Sequence, residues 1–276
     1  MLRLSWMRSI ALGFSLTFIL AVLTSGADTD PNAQMLLGNP DNATTSPDNR
    51  LHYLIKRGQY AISYNNTLHI PNWVGWHLNA SDLGTQKGGT FRPDTNLPAG
   101  FTRVATGDYT NSGYDLGQGC PSADRSADRR DNDAVFLMTN VVPLAPGLNA
   151  GPWGKLESFC RNKAKQGNEL YILCGYGFIA PTHPLIGKPH IAVPDFVWKI
   201  VVILPDKPGD DLKRMTNQAR VIAVMIPNNN KVANQNWTDF LVTTMDIEQV
   251  TELTFFKALP LTTTMTLKAV KDSGKP

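Results

Sequence analysis

Cysteine and histidine are scarce in this chain of 276 residues, with three of the first and five of the second. Three cysteines permit at most one internal disulfide and leave a thiol over, and the spacing of Cys120, Cys160 and Cys174 does not say which pair would form it. Charge is thin as well. Only 18% of residues carry it and the formal net charge is +3, too little to advertise a polyanion partner through bulk attraction, so such binding needs a local patch. Long apolar runs are absent except at the start, where Arg3 and Arg8 precede IALGFSLTFILAVLT (residues 10–24) and then Ser25-Gly26-Ala27. That is the positive, apolar, small-residue order of a secretory signal peptide. The run falls short of the roughly 20 residues a membrane span needs. Residues 1–27 are therefore expected to be cleaved off, giving a secreted or periplasmic product with no membrane segment. Without Arg3 and Arg8 the net charge is +1. Asn42, Asn65, Asn79 and Asn236 each begin an Asn-x-Ser/Thr sequon, which matters only in a host that glycosylates exported proteins.

What is present is material for a core: 42% of residues are hydrophobic, enough for a globular domain. Residues 28–45 are polar, with prolines and asparagines, and read as an extended arm. HYLIKRGQYAISYN (residues 52–65) alternates apolar and polar residues as a strand does, and NWVGWHLN (72–79) follows as an aromatic strand. Residues 83–112 read as loop. AVFLMTNVV (134–142), ELYILCGY (169–176), VWKIVVIL (197–204) and RVIAVMIP (220–227) are apolar runs of buried-strand length. A helix is expected after Gly151-Pro152, with Trp153, Leu156 and Cys160 on one face and Gly167 at its end. A second is expected from Asp246, boxed with Gln249, turning Ile247, Val250 and Leu253 inward before Pro260. Residues 261–276 read as a flexible tail. Many strands and few helices predict one α+β domain over residues 46–260, a mainly antiparallel sheet flanked by helices.

The stretch with the densest chemistry is GYDLGQGCPSADRSADRRDND, residues 113–133. Glycines, a carboxylate and a run of arginines give it the build of a catalytic loop. Its centre nevertheless carries Leu116 and Gln118, neither of which takes a proton near neutral pH. Arg125, Arg129 and Arg130 could line a groove that tracks phosphates, or form a solvated loop with the interleaved aspartates. Cys120 has no histidine beside it to generate a thiolate, which argues against a nucleophile there. Downstream, Asn149 and Glu157 lie eight residues apart. At 100° per residue on one helix their side chains point within about 80° of one another. An amide oxygen and a carboxylate on one edge can hold a hydrated hard cation such as Mg²⁺. The plainer reading of the two residues alone is a loop asparagine and a solvent-facing helical glutamate.

The wider pattern weighs on that choice. YTNSGYDLGQGCPSADR followed by FLMTNVVPLAPGLNAGPWGKLESFC resembles the core of the DNA/RNA non-specific endonucleases, the sugar-non-specific nucleases with a ββα-metal active site. Their motifs run D-R-G-H, then x-x-P-x-x-D-R, a T-N strand, P-Q-x-x-x-x-N and W-x-x-L-E. The likeness extends over roughly residues 36–260, through LIKRGQYAISYN, FRPDTNLPAGFTRV and RVIAVMIPN. It implies a ββα-metal core, sequence-independent binding of DNA and RNA, and Mg²⁺- or Mn²⁺-dependent phosphodiester hydrolysis. Residue by residue, it implies Asn149 as the direct metal ligand and Glu157 as the carboxylate holding the metal's waters. Asp115 matches the first letter of the motif and Asn140 the supporting asparagine of the T-N strand.

Departures from the pattern cluster where the chemistry is done. Gln118 stands in place of the general-base histidine, Leu116 in place of the motif arginine, Lys87 in place of a phosphate-steadying arginine, and Leu144 in place of a glutamine. Losing a general base costs roughly 10²–10⁴ in rate, and lysine lacks the planar fork that grips phosphate at two points. Three readings of Gln118 stay open. The chain is a pseudonuclease, reduced to a nucleic-acid- or protein-binding module; or another group, among His52, His69, His77, His183 and His190, supplies the base; or the glutamine is a change particular to this chain.

Overall fold

The computed structural model describes residues 33–275; the expected signal segment lies outside them. Seven strands form one antiparallel sheet in the order β1 (Tyr53–Lys56), β2 (Ala61–Asn65), β3 (Ile70–Leu78), β6 (Asn168–Gly177), β9 (Phe196–Pro205), β10 (Arg220–Pro227) and β11 (Leu241–Val242). Two short pairs stand apart from it: β4 (Asp115–Gln118) with β5 (Val141–Leu144), and β7 (Leu185–Ile186) with β8 (Ile191–Ala192). The helices are α1 (Arg129–Ala134), α2 (Pro146–Leu148), α3 (Gly154–Lys165), α4 (Asp211–Arg214), α5 (Thr244–Thr251) and α6 (Leu261–Ala269). The α+β architecture expected from the sequence is the one observed.

Both faces of the sheet are covered, which is why its central strands read as continuous apolar runs rather than alternating ones. On β9, Val197, Val201 and Ile203 face one core together with Trp76, Trp153 and Leu156. Trp198, Ile200, Val202 and Leu204 face a second core with Trp73, Ile247, Phe255 and Leu267. The first core carries β4, β5 and α3, a two-strand-and-helix unit laid against the sheet. The second is roofed by α5, α6 and the N-terminal segment.

Several local expectations are revised. HYLIKRGQYAISYN is a hairpin, because the chain turns at Arg57–Tyr60 with Arg57 N–H donating to the Tyr60 carbonyl. AVFLMTNVV becomes the end of α1, a tight turn at Met138–Asn140 and the start of β5. Every residue from Val135 to Val142 is buried, and burial from all sides erases the periodicity that separates strand from turn. The first helix starts at Gly154, and Trp153, Leu156 and Cys160 are buried as expected. Gly167 follows it with φ +82°, a conformation that favours glycine. The second starts earlier than expected, since Thr243 and Asp246 cap it reciprocally. Ile247 is buried there, whereas Val250 is 48% exposed.

The polar stretch before residue 46 does not stand off as an arm over its described part. Asp41 accepts from the Trp73 indole at 2.8 Å, the Ser63 hydroxyl at 2.6 Å and the Ala43 N–H at 3.2 Å, and pairs with His52 at 2.8 Å. Gln34 accepts from His77 N–H at 2.8 Å and donates to the Gly58 carbonyl at 2.9 Å. Polar composition hid a clasp. The tail from residue 261 is likewise structured: α6 buries Leu267, Lys268 pairs with Glu248 at 2.7 Å, and Asp272 with Arg220 at 2.9 Å. Leu267→Ala should therefore lower stability by about 2–5 kcal/mol, the range for a buried leucine. An unchanged urea midpoint would show that the tail packs without contributing.

Candidate active site

The candidate motif is strand rather than loop. β4 and β5 pair antiparallel with Asp115 opposite Leu144, Leu116 opposite Pro143, and Gln118 opposite Val141. Glycine is required between them: a Cβ on Gly117 would lie 2.3 Å from Leu144 Cγ, and one on Gly119 would lie 2.5 Å from Val74 Cγ2. Backbone this close to its neighbours fixes where the intervening side chains point. Leu116 uses its position to pack against the first core, so it offers an anion nothing.

Asn140, fully buried, ties the turn after β4 to the start of β5. Its Oδ1 accepts from Cys120 N–H at 2.9 Å, and its Nδ2 donates to the carbonyls of Cys120 and Val135, each at 2.9 Å. Gln118 shares one of those acceptors. Its Nε2 donates to Val135 O at 2.9 Å while its Oε1 accepts from Ser122 N–H at 3.0 Å. Both ends of the amide are thus spent on backbone. An amide takes no proton near neutral pH, and the oxygen of this one is already turned to the Ser122 N–H.

Asp115 and Asn149 come together, with Asn149 Nδ2 donating to Asp115 Oδ2 at 3.0 Å. The single-helix geometry expected for Asn149 and Glu157 is not what the chain does. Asn149 lies in a wide turn, Asn149–Trp153, where Gly151 takes φ −86° and ψ −121°, and α3 starts only after it. The kink breaks the 100° count, and what aims Asn149 is the carboxylate of Asp115. That bond fixes the amide so that its Oδ1 stays available as an acceptor.

Glu157, on the first turn of α3, lies between two cations: Lys199 Nζ at 3.5 Å and Arg161 at 3.9 Å. Arg161 also pairs with buried Asp124 at 2.9 Å, and Asp124 accepts from the Trp76 indole at 3.0 Å. The Lys199 ammonium sits 3.9 Å from the centre of the Trp153 ring. Burial pushes the Glu157 carboxyl above its ordinary range, and Lys199 and then Arg161 oppose the shift. Sequence reasoning singled out neither Lys199 nor Arg161 as a partner of Glu157. Two signals were there. Lys199 is the one charge inside the apolar run VWKIVVIL, and buried charges need partners; Arg161 stands four residues after Glu157, one turn along the same helix face.

The donor set suits a hydrated divalent cation. Among the described residues no group of three or more His, Cys, Asp or Glu could hold a metal, so an ion here would rest on few protein ligands. Mg²⁺ accepts that, because it keeps most of its waters. Asn149 Oδ1 is the free protein oxygen, and Glu157 is a carboxylate already balanced by cations.

The arginine expectations divide. Arg125 does not line a groove, being 2% exposed. Its guanidinium donates to the carbonyls of Gln59 at 2.7 Å, His77 at 2.6 Å and Asp124 at 2.8 Å, and lies 3.4 Å from Asp82. It stitches the 120s segment to the sheet edge. Arg129 and Arg130 are exposed on α1, and Arg129 pairs with Asp133 at 2.9 Å. Lys87 is exposed in the loop after β3 and lines a cleft with Arg161 and Lys165. Two of the histidines are engaged elsewhere: His77 turns to Glu169 and Tyr171, and His52 to Asp41.

Comparison with known proteins agrees with this architecture. A family model described as DNA/RNA non-specific endonuclease matches residues 38–262. The chain is similar to a nuclease of Nostoc sp. (strain PCC 7120), 46% identical over 229 residues that cover 81% of this chain and 80% of that one. It is also similar to nuclease C1 of Cunninghamella echinulata var. echinulata, 30% identical over 264 residues that cover 88% and 98% of the two. Among solved structures, a chain from the crystal structure of an EndoG/EndoGI complex superposes with a TM-score of 0.70 at 22% identity, covering 83% of this chain and 92% of that one. That likeness speaks for the fold.

The division among the arginines is testable by stability. Arg125→Ala leaves buried acceptors unpaired and should cost about 3–5 kcal/mol, whereas Arg129→Ala removes an exposed pair and should cost less than about 1 kcal/mol. Equal denaturation midpoints for the two variants would contradict the assignment.

Proposed function

Because the chain belongs to the DNA/RNA non-specific endonuclease family, we propose that it is an exported member that binds DNA and RNA without regard to sequence and cleaves them weakly or not at all. The observation that carries this reading is Gln118, held at both ends by Val135 O and Ser122 N–H. Hydrolysis of a phosphodiester needs a water relieved of a proton, best by a group titrating near neutral pH. No such group stands on this hairpin. Export is supported by the charged, apolar and small-residue order of residues 1–27.

The remaining parts can still bind and orient. Asp115 holds the Asn149 amide, which would take a divalent cation, Mg²⁺ or Mn²⁺, on its Oδ1, with Glu157 receiving the ion's waters. The ion would supply charge stabilisation to the leaving oxygen. Asn140 keeps β4 and β5 in register. Lys87 offers a cation to phosphate, although without the two-point grip of an arginine.

Plasmid DNA and RNA incubated with Mg²⁺ should be cut roughly 10²–10⁴ times more slowly than by an ordinary family member. Gln118→His should recover part of the rate. Adding Leu116→Arg and Lys87→Arg should raise it by more than the separate gains combined, because groups acting as one unit are not independent. Reversion should also cost about 1–3 kcal/mol of stability where the imidazole leaves the Ser122 N–H unpaired, since Val135 O keeps its bond from Asn140. Brisk cleavage by the unmodified chain, abolished by Gln118→Ala, would overturn the reading.

A further inference from the structure

Beyond Asp115, the turn that carries Asn149 has a support from far along the chain. After β10 the chain runs through residues 228–235, which lie against the segment from Ala145 to Lys155. Two glycines admit it: a Cβ on Gly147 would lie 2.8 Å from Asn230 Cα, and one on Gly151 would lie 2.8 Å from the Ala233 carbonyl oxygen. Asn228 Oδ1 accepts from Ala145 N–H at 2.8 Å, while its Nδ2 donates to the carbonyls of Pro143 at 3.1 Å and Pro194 at 2.9 Å. Asn230 Oδ1 accepts from Gly147 N–H at 2.8 Å. At the far end Lys155 Nζ donates to the Gln235 carbonyl at 2.9 Å.

The Asn230 contact is a helix cap supplied from a distance. α2 is a single turn that opens on Ala145, whose methyl group accepts no hydrogen bond, and closes where Asn149 N–H reaches Ala145 O at 3.0 Å. The N–H groups of a first turn have no partner within the helix, and a side-chain oxygen on the residue before it normally meets the second or third of them. Here Gly147 N–H is the second, and its oxygen comes from Asn230, 83 residues on. One turn alone has little stability of its own. This bond therefore fixes the course of the backbone into Asn149, while Asp115 fixes the direction of the Asn149 amide. We propose that Asn230 is a positioning residue for the divalent cation: it caps the turn from the 228–235 loop, which Asn228 anchors, and so holds Asn149 Oδ1 where an ion can take it. The inference rests on the metal reading of Asn149 above and adds what sets the strength of that site. Asn230 acts through the backbone of Gly147 and not on the ion.

Mn²⁺ titrated into the full chain, with the free ion followed by its EPR signal and urea midpoints measured alongside, tests this. The unmodified protein should bind Mn²⁺, and Asn149→Ala should abolish that binding. Asn230→Ala should weaken it by about tenfold, the low end for groups that orient a metal ligand. Asn230→Gln, whose oxygen stands one bond further out, should lose affinity as well. Asn230→Asp, which keeps the oxygen in place, should bind at least as tightly as the unmodified chain. Asn234→Ala, exposed in the same loop and without a side-chain hydrogen bond among the described residues, should change nothing. Asn230 is itself exposed, so its variants should stay folded. Binding that depends on Asn149 but is unmoved by Asn230→Ala and Asn230→Gln would overturn the positioning role and leave the metal reading standing. Equal weakening in Asn230→Asp would overturn it too, because the acceptor is then present. Mn²⁺ binding that is absent, or unchanged in Asn149→Ala, would take down the metal reading and this inference with it.

Discussion

The Gln118 amide closes a bridge between two backbone segments, and much of the site follows from it. By donating to Val135 O and accepting from Ser122 N–H it ties the turn after β4 to the segment leading into β5. Asn140 donates to the same carbonyl, so one oxygen anchors both side chains. A buried backbone group left unpaired is expensive, and the bridge leaves neither of these two groups unpaired. A histidine at the same position would have to leave one ring nitrogen free for a water and could not hold both ends. The glutamine is thus placed as a structural brace where the family pattern places a proton acceptor.

Around that brace the electrostatics are orderly. Lys199, Glu157, Arg161 and Asp124 form a chain of alternating sign that runs from the central strand β9 through α3 to the segment after β4, with Trp153 and Trp76 as its aromatic walls. The chain keeps a buried carboxylate paired, and breaking such a pair on one side is strongly destabilising.

The fold was largely legible because both faces of its sheet are covered. Runs such as VWKIVVIL and ELYILCGY have the length and apolarity of buried strands, and the observed β9 and β6 overlie them. What failed was composition used as a proxy for packing. Asp41 and Gln34 made the N-terminal stretch look like a solvated arm, yet each satisfies several buried donors or acceptors of the sheet. Arg125 sat in a run of charges that resembles a solvated loop, yet its guanidinium finds three carbonyls. Hydrogen-bond partners far apart in sequence leave no local signal. The candidate site was named by resemblance at Asp115, Asn140, Asn149 and Glu157, of which the structure joins Asp115 to Asn149. Its cations Lys199 and Arg161 were visible only as a charge in an apolar run and a one-turn spacing.

The account stands on the absence of a neutral-range proton acceptor at the hairpin, and the pH dependence of residual cleavage measures that directly. With salt and Mg²⁺ fixed and the substrate in excess, plasmid nicking should be undetectable or should rise steadily with hydroxide from about pH 5 to 8, with no break near the ordinary histidine value of about 6.5. A rate that climbs through such a midpoint and then levels would reveal a working base and contradict the account.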